Sequence, residues 1–270
     1  MNNRALVVFM VSVWLAACVL QSQTCGNPAG TAGKGQTTMG MSGAYQIHQD
    51  GQQKMVSNRI FFKAMVGLAP WLDVYGLAGT TQVRMKSTLT GIPEFKDKHR
   101  FGYGAGFNFL LNPSPPKPKR STRGSMGSAA PTRIGFWGGG NIIRYPAEAV
   151  YDLSSGTVVH EYRMTYDCRE ITGHAGIVIP YRMLKIYAGG VGWAIQRPET
   201  KKEYLLGIST EPIFKGDAKA TYQSGLWTGG LFGIQVDLPE NYSLTVEAIG
   251  FNKADYQIMI GISQTGIRNW

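Results

Sequence analysis

"RFGYGAGFNFLLN" (residues 100–112) decides the fold. Phe101, Tyr103, Ala105, Phe107, Phe109 and Leu111 fall on one parity; Gly102, Gly104, Gly106 and Asn108 fall on the other. Side chains two apart share a face of a β-strand, so this segment predicts a strand with one greasy face and one nearly bare face. A strand of a soluble sheet buries its apolar face and gives charges to water on the other. Here the second face is small and uncharged, which suits an enclosed space better than open solvent. The same pattern returns in "MGMSGAYQIH" (39–48), "SNRIFFKAMVGL" (57–68) and "DYQIMIGIS" (255–263). In the second of these Lys63 lies on the inner parity, and in the last Tyr256, Ile258, Ile260 and Ile262 oppose Gln257, Met259, Gly261 and Ser263.

Working outward, period-2 alternation predicts about ten strands: 39–48, 58–69, 71–85, 99–111, 132–144, 162–179, 183–196, 222–236, 240–251 and 254–266. The sixth changes parity, from Tyr162, Met164 and Tyr166 to Ile171, Ala175, Ile177 and Ile179, and a bulge at 167–169 would reconcile the two halves. "VGLAPWLDVYGLAG" (66–79), "GIVIPYRMLKIYAGG" (176–190) and "QVDLPENYSLTVEAIG" (235–250) each join two strands through a short turn around Pro70, Pro180 or Pro239. The first, third, fifth and seventh connections are longer and polar. Short turns therefore gather at one end of the sheet and long loops at the other, the asymmetry of a transmembrane β-barrel. Two connections dissent: 112–131 is long on the short-turn side, and "NKA" (252–254) is short on the long-loop side.

The expected fold is all-β: a closed antiparallel transmembrane β-barrel of about ten strands, with eight or twelve as alternatives. Closure satisfies every backbone polar group inside hydrocarbon. Lys63, Asp73, Glu170, His174, Lys185 and Glu247 fall on the inward parity and predict a polar cluster in the lumen, which must be internally paired because a lone buried charge is costly. Trp71 and Trp270 are candidate membrane-interface aromatics. An alternating apolar strand ending on an aromatic residue resembles the C-terminal signal of bacterial outer-membrane barrels, although Gly266 and Arg268 stand where that pattern has hydrophobic residues. The whole of 38–270 resembles the small bacterial outer-membrane β-barrels of OmpA-like and OmpW-like size, a likeness of pattern and not of motif. It implies an outer-membrane location, outer-membrane lipid and lipopolysaccharide as surroundings, and the barrel-assembly machinery as a partner.

The N-terminus fits export. Arg4 precedes an apolar run from Ala5 to Ala17, too short to span a bilayer but suited to a signal peptide. Leu15-Ala16-Ala17-Cys18 resembles the bacterial lipobox, which implies a signal peptide over 1–17, lipidation of Cys18 and a flexible periplasmic lead-in over 18–37. An ordinary small-x-small cleavage site fits less well, because Leu15 would occupy the outer small position. Cys25 and Cys168 then remain, as a pair or as two free thiols.

The formal net charge of +10 suits anionic surroundings. Its basic residues sit mainly in loops such as 113–131, a candidate peptidoglycan contact, and not on one aromatic-studded face as nucleic-acid binding requires. No spacing suggests a metal or a cofactor. His48, His99 and His160, with Asp50, Asp97 and Asp152 nearby, could build a His–Asp base at the long-loop rim. The expected role is structural or small-solute transport without catalysis. A rim-active barrel enzyme, lipid-modifying or proteolytic, and a soluble lipocalin-like binding barrel are the alternatives.

Overall fold

The computed structural model describes residues 32–50, 53–87, 95–111, 134–155, 158–181, 183–206, 211–223, 225–251 and 255–268. Twelve strands follow one another: β1 (Gln36–Asp50), β2 (Gln53–Ala69), β3 (Leu72–Ser87), β4 (Phe95–Lys96), β5 (Arg100–Leu111), β6 (Gly135–Ser155), β7 (Val158–Tyr181), β8 (Leu184–Leu206), β9 (Ile213–Gln223), β10 (Trp227–Asp237), β11 (Tyr242–Gly250) and β12 (Tyr256–Arg268). All pair antiparallel, in the order β10-β11-β12-β1-β2-β3-β5-β6-β7-β8, and β8 pairs back onto β10 to close a ring of ten. The chain is therefore the closed antiparallel transmembrane-type barrel expected from its alternation. β4 and β9 stand outside the ring, on β3 and β8 respectively.

The faces point as the alternation requires. Phe62, Phe101, Tyr103, Phe107, Phe136, Ile142, Ile171 and Phe232 are exposed on the outer wall, while Phe61, Met65, Tyr75, Trp137, Tyr145, Tyr187 and Trp193 are buried inside. A soluble barrel would invert this arrangement. The glycine-rich parity has a packing purpose. Tyr75 lies directly opposite Gly106, and Tyr187 directly opposite Gly233. A Cβ built on either glycine would run into the tyrosine ring, so the bare strand is the slot in which the ring lies.

Three details differ from the sequence reading. The sixth predicted strand, now β7, has no bulge: its pairing with β6 runs in one unbroken register from Val158 to Val178. Even residues, Tyr166, Cys168, Glu170 and His174, face inward throughout. The apparent change of parity is a change of solvent. On the outer face Arg163, Thr165, Asp167 and Arg169 give way to Ile171, Ile177 and Ile179, which marks where water ends and hydrocarbon begins.

Second, three of the expected long loops are mostly strand. β1 and β2 are joined by residues 51–52, β6 and β7 by 156–157, and much of 197–221 belongs to β8 and β9. β7 has 24 residues, about twice the nine to eleven of a crossing, so β6, β7 and β8 continue beyond the membrane wall as an extended sheet. The lower half of β8 pairs with β10 (Trp193↔Trp227 being the last pair), and its upper part pairs with β9. Polar residues suggested loops; paired above the membrane, they need only water on both faces. Third, Pro180 lies within β7 and not in its turn, while Pro70 and Pro239 do occupy turns.

The strand expected from 39 begins at Gln36, and the residues just before it are fixed to the wall at the short-turn end. The Ala32 amide donates to both Asp73 carboxylate oxygens (3.1 and 3.3 Å), and the Gly35 amide to the Gly67 carbonyl (2.9 Å). Cys18, Cys25, Trp270 and the 113–131 segment lie outside the described residues.

Lipid contact at the outer wall is testable with Phe62, which is 63% exposed within the apolar band. Phe62→Arg is expected to destabilise the vesicle-inserted protein by about 1–2 kcal/mol, read from reversible urea unfolding. No loss, or a gain, would mean that this face meets water.

Candidate functional site

The lumen is the place where titratable groups converge. On β2 the inward parity carries Arg59, Phe61, Lys63 and Met65; on β7 it carries Cys168, Glu170, Thr172 and His174. These strands face each other across the barrel, so their charged members meet in two tiers.

The upper tier is an ion pair. Arg59 Nη1 donates to Glu170 Oε2 (2.9 Å) and Nη2 to Oε1 (2.6 Å), and both side chains are 0% exposed. The two-pronged geometry suits a planar guanidinium against a carboxylate. Three further side chains bond to the pair. Arg59 Nε donates to Ser57 Oγ (3.1 Å), Arg59 Nη2 also donates to the Tyr145 hydroxyl (3.0 Å), that hydroxyl donates to Glu170 Oε1, and Trp193 Nε1 donates to Glu170 Oε2 (3.0 Å). The Arg59 guanidinium also lies over the Tyr145 ring, 4.8 Å from its centroid. Cys168 is a free, buried thiol beside this group.

Beside the pair, four rings pack together. Trp193 meets Trp227 edge-on (5.6 Å between centroids) and Phe251 at 5.8 Å, and the His48 ring rests 3.9 Å from Trp227 and 4.9 Å from Trp193. His48 Nδ1 is 3.5 Å from Asp255 Oδ2, and Asp255 Oδ1 accepts the Gln49 amide (2.6 Å).

The lower tier holds three predicted residues. Lys63 Nζ rests over the Tyr75 ring (3.9 Å) and, with the Asn108 amide turned to satisfy both partners, donates to its oxygen (3.3 Å). Asp73 is fully buried and receives the Ala32 amide, and His174 packs against Trp137 at 4.9 Å. Separately, Tyr187 donates to Glu247 Oε2 (3.1 Å).

Of the six predicted lumen residues, Lys63, Asp73, His174, Glu170 and Glu247 are thus inside, but in distinct groups and not in one cluster. Lys185 instead pairs with Asp237 (2.9 Å) at the short-turn mouth, where both side chains keep some solvent contact. Arg59, the partner of Glu170, was not among the predicted residues, although it shares the parity of Lys63 four positions away. Tyr145 and Trp193 gave no polar signal in the sequence. Trp71 is half exposed at the β2–β3 turn.

At the rim, the histidines find acids other than the nearby aspartates. His48 meets Asp255, and His160 Nδ1 lies 2.8 Å from Glu203 Oε1. Hydrogen bonding from His160 and the neighbouring Lys215 holds the Glu203 carboxyl below the usual range. Asp97 accepts from Arg100 Nε (3.3 Å) and from the Glu148 amide (2.8 Å), tying the end of the β3–β5 connection to β6.

The fold is similar to solved outer-membrane structures. The translocator domain of the autotransporter NalP from Neisseria meningitidis matches with 10% identity over 97% of both chains, at a TM-score of 0.44. The transport unit of the autotransporter AIDA-I from Escherichia coli matches with 11% identity over 94% of this chain and 96% of that one (TM-score 0.37). The outer membrane protease OmpT from Escherichia coli matches with 9% identity over 84% and 92% (TM-score 0.35). No protein-family model and no curated protein matches the sequence.

Breaking the upper pair on one side leaves an uncompensated buried charge. Arg59→Met is expected to cost about 3–5 kcal/mol in urea unfolding, whereas Arg59→Met with Glu170→Met recovers most of that loss. A double variant as unstable as the single one would contradict an isolated structural pair.

Proposed function

We propose that the protein is an outer-membrane barrel with a sealed lumen, a structural element of the membrane that holds a β-sheet platform outside it, and neither a pore nor an enzyme. The single observation that carries this is the occupied interior. Trp137, Trp193, Arg59, Tyr145, Tyr187 and Phe61 are all less than 2% exposed, in a barrel of ten strands whose bore side chains can fill. A conducting barrel needs a continuous water-lined path, and the Arg59–Glu170 pair with its Trp193 and Tyr145 partners crosses the bore.

The outer-membrane placement rests on the apolar outer wall, on backbone closure without an edge in the membrane band, and on short turns at one end with extended hairpins at the other. Against catalysis, His48 is wedged between two tryptophans, and its acid partner Asp255 is itself buried. A base meant to reach a substrate needs an open side.

Planar-bilayer recording tests the reading. Inserted wild-type protein is expected to show no steady ohmic steps, whereas Trp193→Ala with Arg59→Ala, which removes two of the three largest buried interior side chains, is expected to leak. Stable conductance by the wild type would overturn the sealed-lumen reading.

A further inference from the structure

We propose that the outer face of β2, β3 and β4 binds the phosphates of a lipid headgroup through Lys54, Lys86, Arg84 and Lys96. The proposal rests on the outer-membrane reading above and names what that membrane supplies at one place on the wall.

Register makes the case. On the outer face Lys54 is the direct cross-strand partner of Lys86, and Arg84 the direct partner of Lys96. Directly opposed residues hold their Cβ atoms about 5 Å apart, and like charges so placed destabilise a sheet. Lys86 and Arg84 also share a face, two residues apart on β3. Four cations thus stand on three adjacent strands, and among the described residues no acid pairs with any of them.

The residues beside them on this face are neutral: Gln49 opposite Lys54, Ile47 opposite Val56, and the Asn58–Gln82 amide pair. The Arg84 Nε is buried and has no hydrogen-bond partner among the described residues. Elsewhere on the outer wall the opposite holds. Arg144 and Arg169 share Asp167 (2.8 and 3.0 Å), and Arg163 holds Glu161 (2.5 Å). The imbalance is local.

Its height selects the ligand. Ile60 pairs with Thr80, and below it Phe62, Val66 and Leu68 form the exposed apolar band. Arg84 lies four residues beyond Thr80 and Lys86 six, about 13 and 20 Å along a tilted strand. The cations therefore begin where acyl chains end. Tyr45 and Tyr256, 6.3 Å apart, occupy the band between. A phosphate-bearing lipid with its chains on Phe62 and Val66 would set its anionic head among the four cations, neutralising a repulsion that the protein leaves uncompensated.

The test is native mass spectrometry of the detergent-solubilised barrel titrated with bisphosphorylated lipid A, with fully dephosphorylated lipid A, and with inorganic phosphate alone. K54Q/K86Q is compared with K202Q/K219Q, which removes the same charge from the β8–β9 hairpin. The expected result is binding of bisphosphorylated lipid A weakened about tenfold or more by K54Q/K86Q and unchanged by K202Q/K219Q, with the dephosphorylated lipid indifferent to both.

Without lipid, K54Q/K86Q should unfold at an equal or higher urea concentration than wild type, since a repulsion is gone. Equal weakening by both variants, equal binding of both lipids, or inorganic phosphate displacing the lipid at comparable concentration would overturn the site. Failure of the wild type to insert into vesicles would sink the outer-membrane reading itself. Normal insertion with phosphate-indifferent binding would remove only this proposal.

Discussion

Every backbone amide in the membrane band must find its carbonyl within the protein, and the rest of the structure follows from that constraint. Hydrocarbon offers no substitute partner, so the sheet has to close. It does so at two non-trivial seams: β1 against β12, which joins the two ends of the barrel sequence, and β8 against β10, which skips a strand. The second seam explains β9. Above the membrane, water can satisfy an open edge, so β8 exchanges β10 for β9 after Trp193 and the sheet continues as an open platform. Edges are permitted only where solvent reaches them.

Closure at ten strands then dictates the composition of the inside. A bore of this width is too narrow to hold large side chains from every strand and too wide to be filled by small ones. The sequence alternates between the two across strand pairs: Tyr75 opposite Gly106, Tyr187 opposite Gly233. At Gly106 and Gly233 the cost of glycine in strand stability is offset by the tyrosine ring that the bare position receives. The remaining volume is taken by the Arg59–Glu170 pair. Burying two ions is expensive even when they touch, so the pair persists only because Ser57, Tyr145 and Trp193 complete its hydrogen bonds. Such a group contributes less to net stability than to fixing which strands face each other across the lumen.

The ten strands of the ring, the direction of the faces and most ring-strand positions were legible in the sequence because all three follow from a period of two, which survives any tertiary context. The extensions beyond the membrane wall were not. Above the membrane the outer face is polar and the inner face only partly apolar, so the alternation of residues 145–168 loses its contrast just where pairing continues. The supposed bulge at 167–169 arose from the same cause, since a lipid-facing parity that turns charged looks like a slipped register. Parity placed Glu170 inside, but its partner depended on which strands face across the bore, and no local pattern encodes that distance. Arg59 stood on the inward parity of a strand already assigned, and was findable by asking what a buried Glu170 would require.

The two charge systems obey opposite rules, and that contrast separates architecture from surroundings. Inside, in low dielectric, Arg59 and Glu170 hold each other, Asp73 holds the Ala32 amide and Glu247 the Tyr187 hydroxyl, because a buried charge without a partner costs several kcal/mol. On the outer wall of β2–β4, like charges stand in register without an acid, an arrangement that folding alone does not favour. Pairing within the lumen is intelligible from the chain itself. Repulsion left on the wall is what the proposed phosphate-bearing lipid would relieve, on the same strands as the exposed band that Phe62 belongs to.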